Sequence, residues 1–142
     1  MADERKRFSV SVVTPEGPAF EGEAEMLIVP GAAGEIGVLA RHAPLVATLK
    51  AGSTRVHVTQ GDEVLELATG PGFFTVADDR AIALVDGAVS ADDIDAARAQ
   101  EQLEAARAEL ERIDRGESAA DRWQVEQRIR HAENQLSVVS GG

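Results

Sequence analysis

From Phe8 onward the chain alternates, with Phe8, Val10 and Val12 apolar and Ser9 and Ser11 polar. A period of two marks a strand that buries one face. "TRVHVTQ" repeats it, with Val56 and Val58 on one side and Arg55, His57 and Thr59 on the other. "VLEL" and "FFTVA" follow, and in "RAIALV" both sides look covered. Turn-forming clusters separate these runs: "TPEGP", "KAGS", Gly61-Asp62 as a two-residue hairpin loop, "TGPG" and Asp78-Asp79. Many short strands at close spacing predict an antiparallel β-sandwich or flattened barrel.

Near Gly87 the pattern changes. All five prolines lie at or before Pro71, and between Ala88 and Ser140 only Gly116 interrupts the chain with a glycine. Leu103, Ala106, Leu110 and Ile113 recur at helical spacing, as do Ile129, Ala132, Leu136 and Val139 after Trp123 and Val125. Ser90 with Asp93 and Ser118 with Asp121 each fit the S-x-x-D pattern, so each serine is expected to cap a helix. Arg115 and Gly116 supply the stop, a basic residue followed by a glycine suited to a left-handed cap. The short link to Ser118 forces the two helices antiparallel. The expected organisation is a β-sandwich domain over residues 1–87 and a helical hairpin over 88–142.

That second part contains only eleven large apolar side chains. Each contributes roughly 1.5–3 kcal/mol when fully buried, against about 1–2 kcal/mol per residue of backbone entropy. Its alanine-rich sequence favours helix but gives docking little area to gain. A helical segment weakly held in its folded-back arrangement is expected, as a movable arm requires.

Composition removes several function classes. The 142 residues carry a net charge of -11, and no basic stripe offsets a field that repels nucleic acid. Cysteine is absent, which excludes disulfides and thiolate metal sites. "MADERKRFSV" has no apolar run long enough for a signal peptide, and no segment approaches the roughly 18 apolar residues of a membrane span. Direct membrane insertion is therefore not expected. His42, His57 and His131 show no ligand spacing, and no G-x-S-x-G elbow occurs, so neither a metal site nor a catalytic residue is assigned. Gly31, Gly34 and Gly37 match neither the dinucleotide fingerprint nor the phosphate loop. No helix can start after Gly37, because "VLARHAP" reaches Pro44 without a cap or a helical period. The glycines are expected to shape a bend between strands. The residues alone also fit a stand-alone β-sandwich adaptor with a helical-hairpin interaction arm, and a small enzyme is disfavoured by the missing constellations.

The order of parts narrows this choice. "VVTPEGPAFEGEAEMLIVPGAAGEIGVLARHAPLVATLKAG", then "FFTVADDRAIALVDGAV", "IDAARA" and the closing "ENQLSVV" together resemble the epsilon subunit of bacterial F-type ATP synthases. The likeness spans nearly the whole chain. One departure is visible: the family often reads P-G-H-A-P where this chain has Ala40-Arg41-His42-Ala43-Pro44, so Arg41 adds a charge to the bend.

The resemblance implies a noncatalytic central-stalk subunit of a proton-translocating rotary motor, peripheral on the cytoplasmic face of the bacterial membrane. Its partners would be the gamma subunit and the c-ring, with the turn Gly34, Glu35, Ile36 and Gly37 facing the ring and Glu35 as the exposed acid. The hairpin would inhibit ATP hydrolysis by extending along gamma to the catalytic alpha and beta subunits, where Arg122, Arg128 and Arg130 would meet acidic surface. No cofactor is required. "IDAARA" matches a family motif associated with ATP as a regulatory ligand, which would place Ile94, Asp95 and Ala99 at the adenine, Arg98 at the phosphates and Asp86 at a further acidic position. Strong binders add arginines where this chain has Ala105, His131 and Gln135.

Overall fold

The computed structural model describes residues 6–59 and 64–141, so the Gly61-Asp62 turn lies outside the described residues. The chain divides into two compact units, residues 1–90 and 91–142. The division falls three residues later than the composition shift implies. Ala88–Ser90 form a strand that pairs antiparallel with Val64–Thr69, so Gly87 turns the chain within the first unit rather than ending it.

Among the described residues the first unit has ten strands. They are β1 Phe8–Thr14, β2 Gly17–Ala24, β3 Met26–Gly31, β4 Gly34–Leu39, β5 Leu45–Leu49, β6 Gly52–His57, β7 Val64–Thr69, β8 Gly72–Ala77, β9 Arg80–Val85 and β10 Ala88–Ser90. Hydrogen bonding runs in the order β10-β7-β6-β3-β5-β8-β9-β1-β2, with β4 on the other edge of β3. One layer is therefore β4-β3-β6-β7-β10 and the other β5-β8-β9-β1-β2. They join at β3, which pairs with β6 through Met26–Ile28 and with β5 at Gly31 opposite Leu49. This is the expected near-barrel sandwich, with one parallel ladder inside an otherwise antiparallel sheet: β1 runs alongside β9, Ser9 opposite Arg80 through Val13 opposite Leu84. A parallel pair needs a long connection, and here most of the sandwich supplies it.

The alternation seen in the sequence sorts inside from outside. Phe8, Val10 and Val12 of β1 pack with Leu27, Val29, Val38, Leu49, Val56, Phe74 and Val76 from both layers. Two buried threonines meet among them, Thr54 Oγ1 and Thr69 Oγ1 being 2.8 Å apart, so their hydroxyls satisfy each other away from water. At Asp78-Asp79 both residues have positive φ (53° and 59°), the type I′ pattern that matches strand twist in a two-residue hairpin.

The second unit begins with a 3₁₀ turn at Ala91–Asp93, followed by α1 (Ala96–Asp114) and α2 (Arg122–Val139). The caps are aspartates rather than the expected serines. Asp95 accepts from the Arg98 amide at 3.1 Å, and Asp121 from the Trp123 amide at 2.9 Å. Ser90 is spent at the end of β10. Ser118 instead accepts from the Ala120 amide and donates to Glu109, which holds the linker against α1. An aspartate at the cap adds a full negative charge at the positive end of the helix, which a serine cannot do. The stop is as expected: Gly116 has φ 74°, its amide bonds Ile113 and that of Glu117 bonds Arg112.

Small side chains dominate the seam of the hairpin. Ala99, Leu103 and Ala106 of α1 and Val125, Ala132 and Val138 of α2 are buried, so Val138 replaces the expected Val139. Two ion pairs clamp the helices from outside, Arg107 with Glu133 at 2.9 Å and Arg122 with Asp114. The hydrogen bond to Asp114, more than its charge, raises the Arg122 pKa above its ordinary value.

Phe74 is fully buried at the centre of the sandwich. Phe74→Ala should cost about 3–5 kcal/mol of sandwich stability. Denaturant unfolding followed by strand circular dichroism should show the loss, while Trp123 fluorescence, which reports the hairpin, should move far less.

Candidate functional site

Two places gather the predicted site residues: the β3–β4 hairpin and the start of α1. In the first, Gly31 pairs with Gly34 and only Ala32 and Ala33 form the loop. The sequence expectation is thereby corrected. Gly34, Glu35, Ile36 and Gly37 are the first four residues of β4, and the tip itself is Ala32-Ala33. Register decides this, since Pro30 opposite Glu35 and Val29 opposite Ile36 continue the ladder to its end. Gly34 has φ 144°, a conformation that side-chain-bearing residues rarely adopt, and it lets the strand leave the tight loop. Gly37 has no such constraint and simply lies open.

The tip is tied down. The Ala32 amide donates to Thr48 O at 2.8 Å, and the Lys50 amide to Pro30 O at 2.9 Å. An open, mostly apolar groove of about 440 Å³ runs beside it, lined by Ala32, Ala33, Ile36, Ala47 and Thr48 with Glu35 at its rim. The Glu35 carboxylate is exposed and accepts from Arg55 Nη2 at 2.9 Å. Sequence reasoning missed Arg55. Its only signal was a charge on the outward side of a strand, which is ordinary.

At the far end of β4, Arg41 takes a left-handed conformation with φ 65°. This is the position at which the family pattern often has glycine. For an arginine the conformation costs about 1–2 kcal/mol, offset by the Arg41 amide donating to Asp79 Oδ1 at 2.5 Å.

Asp86 belongs to the first unit and lies close over Gly70, where an added Cβ would come within 1.6 Å of its Oδ1. Ile94, Asp95, Arg98 and Ala99 sit together at the start of α1. Asp95 is occupied as the cap, Ala99 is buried and Ile94 half-buried, leaving Arg98 as an exposed cation. Arg128 and Arg130 are exposed on α2, whereas Arg122 is engaged with Asp114. Among the described residues no group of histidines and carboxylates could hold a metal ion.

A second surface escaped the sequence reading. On the outside of the β5-β8-β9-β1 layer, Phe73 lies opposite both Thr48 and Leu84, Leu84 lies opposite Val13, and Val46 is two residues from Thr48 on the same face. Val46, Phe73 and Leu84 are 76%, 60% and 51% exposed. Contiguous apolar surface of this kind marks an interaction site. Its signal was present, since "FFTVA" puts phenylalanine on both sides of one strand.

Residues 7–91 match the family described as ATP synthase, Delta/Epsilon chain, beta-sandwich domain. An ATP synthase epsilon chain of Rubrobacter xylanophilus is 35% identical over 98% of this chain and 96% of its own length. The chain belongs to the ATP synthase epsilon-chain family. It is an accessory subunit of the ATP synthase complex. The epsilon chain of Laribacter hongkongensis is 44% identical over 80% of this chain and 81% of that one. Among solved structures, a chain of the Euglena gracilis mitochondrial ATP synthase superposes with a TM-score of 0.75 over 98% of this chain and 86% of its own, at 21% identity. A chain of the Tetrahymena thermophila mitochondrial ATP synthase gives 0.57 over 96% and 98%, at 8% identity. At such identities the likeness is one of fold. Among the described residues of this epsilon chain no helix is long and apolar enough to cross a membrane.

The two β4 glycines should respond differently to the same change. Gly34→Ala should cost about 1–3 kcal/mol, because alanine strains at that φ. Gly37→Ala should stay within about 0.5 kcal/mol of the parent. Paired denaturant midpoints decide this.

Proposed function

We propose that this epsilon chain couples the gamma subunit to the c-ring in the central stalk of a proton-translocating ATP synthase, and that its hairpin inhibits ATP hydrolysis by changing conformation. The observation that carries the reading is that the likeness to epsilon chains takes in sandwich and hairpin together, as the 98% coverage by the Rubrobacter relative requires. The complex would hold it as a peripheral subunit on the cytoplasmic face of the bacterial membrane.

Each surface then has a task. The apolar patch of Val46, Phe73 and Leu84 suits a lasting subunit contact, and we assign gamma to it. The tied-down β3–β4 tip, with the Glu35 carboxylate beside it, suits the polar loops of a ring. The hairpin supplies a two-state element. Its seam, half of it alanine, offers little area, and its exposed, solvent-screened ion pairs add little stability. Modest differential binding by the catalytic subunits would therefore suffice to open it. Arg128 and Arg130 are ready for acidic surface in an extended state, while Arg122 would first leave Asp114. ATP enters as a regulatory ligand, with Arg98 at the phosphates and Asp95, Ile94 and Ala99 as the remaining candidates on the second unit.

The test is ATP hydrolysis by the matching catalytic head and gamma. The full chain should slow turnover, and a chain ending at Ser90, which keeps β10 on β7, should bind gamma without slowing it. Equal rates with both would remove the inhibitory role. Separately, Glu35→Gln in the assembled enzyme should lower proton pumping per ATP hydrolysed while the chain stays folded, and unchanged pumping would remove the ring-facing role of the turn.

A further inference from the structure

We infer that Arg55 is the positioning residue of the ring-facing β3–β4 hairpin, holding the Glu35 carboxylate as an oriented, charge-paired hydrogen-bond acceptor instead of a lone negative charge. The inference rests on the proposed docking of this turn. Arg55 stands on β6 opposite Ile28, and Glu35 on β4 opposite Pro30, so the ion pair reaches over the whole width of β3. The arginine lies behind and the carboxylate in front: their side chains are 34% and 60% exposed. Arg55 Nε is buried without an acceptor, and among the described residues Glu35 is the one carboxylate the guanidinium meets. A long cation on a surface gains nothing by burying an unpaired donor, since such a group loses its hydration uncompensated. An exposed pair adds little stability either. What the arrangement does provide is direction. The backbone of the tip is fixed by its bonds to Thr48 and Lys50, and Arg55 fixes the one charged side chain of the β3–β4 hairpin.

The consequence concerns the partner's chemistry. A lone glutamate beside a groove would attract any basic patch, strongly at low salt. A glutamate paired with Arg55 offers oxygen lone pairs within a pair of no net charge, next to the small surface of Ala32, Ala33 and Ala47. Such a surface fits a narrow loop that presents amide, hydroxyl or single guanidinium donors, and it rejects a lysine-rich face. Docking here should accordingly depend little on salt.

The experiment measures binding of the full-length chain to purified c-ring carrying gamma, at about 50 and 300 mM salt. It uses the parent, Glu35→Gln, Arg55→Gln, Arg55→Lys and the Glu35→Gln/Arg55→Gln double variant, each checked for unchanged denaturant midpoint. The parent should vary less than about threefold between the two salts, and Arg55→Gln should become clearly salt-dependent. Each single Gln variant should bind about three- to tenfold more weakly at the higher salt. The double variant should be no weaker than Glu35→Gln, and Arg55→Lys should recover part of the loss. If Glu35→Gln weakens binding but Arg55→Gln matches the parent at both salts, Arg55 has no positioning role. Fully additive losses in the double variant would overturn the inference too, because Arg55 would then act independently of Glu35. If Glu35→Gln binds like the parent, the docking of the turn fails first, and the inference with it.

Discussion

Strand β3 is hydrogen-bonded to β4 along one edge and, along the other, first to β6 and then to β5. Every other feature of the sandwich follows from that divided edge. Because β5 and β6 leave β3 for different layers, their connection at Lys50-Ala51 becomes the seam of the near-barrel, and the layers face each other across one core. The same division sends the β3–β4 tip outward beyond the seam, where two backbone bonds pin it. The pinned backbone of this tip results from how the core closes.

The two units rest on unequal forces. In the sandwich, large apolar side chains from both layers interdigitate, and burial of that kind contributes roughly 25 cal/mol per Å². In the hairpin, half of the six buried side chains are alanines, and the visible clamps are exposed ion pairs screened by salt. Trp123, the single tryptophan, is 65% exposed and adds no core. The sandwich is therefore held by more large apolar burial than the hairpin.

The outward faces carry the same logic. A sandwich of this size has enough apolar residues to fill its core and still places Val46, Phe73 and Leu84 outside. Those side chains are covered only when something else packs on the layer. The β3–β4 hairpin is treated differently, with Glu35, its one charged side chain, already matched by Arg55 from β6. Apolar area suits a lasting contact. An oriented, charge-paired acceptor suits a contact that selects by shape and hydrogen bonding.

The residues by themselves determined the local structure. Alternation at Phe8, Val10 and Val12 and helical spacing at Leu103 and Ala106 follow from backbone geometry that acts within a few residues. The two-residue turn at Asp78-Asp79 and the stop at Gly116 are local chemistry of the same kind, and the family likeness was carried by contiguous motifs. Where two local choices competed, the outcome was harder to read: serine and aspartate both suit a cap, and the caps are Asp95 and Asp121 because Ser90 ends β10 and Ser118 is bonded within the linker. The tertiary structure alone decided the parallel return of β9 beside β1, the membership of Gly34–Gly37 in β4, and the meeting of Phe73 with Leu84. It also decided that Arg55 would reach Glu35 across β3. These depend on which strands become neighbours, and neighbours are chosen by collapse of the whole core, over separations at which the periodicity of a single segment carries no information.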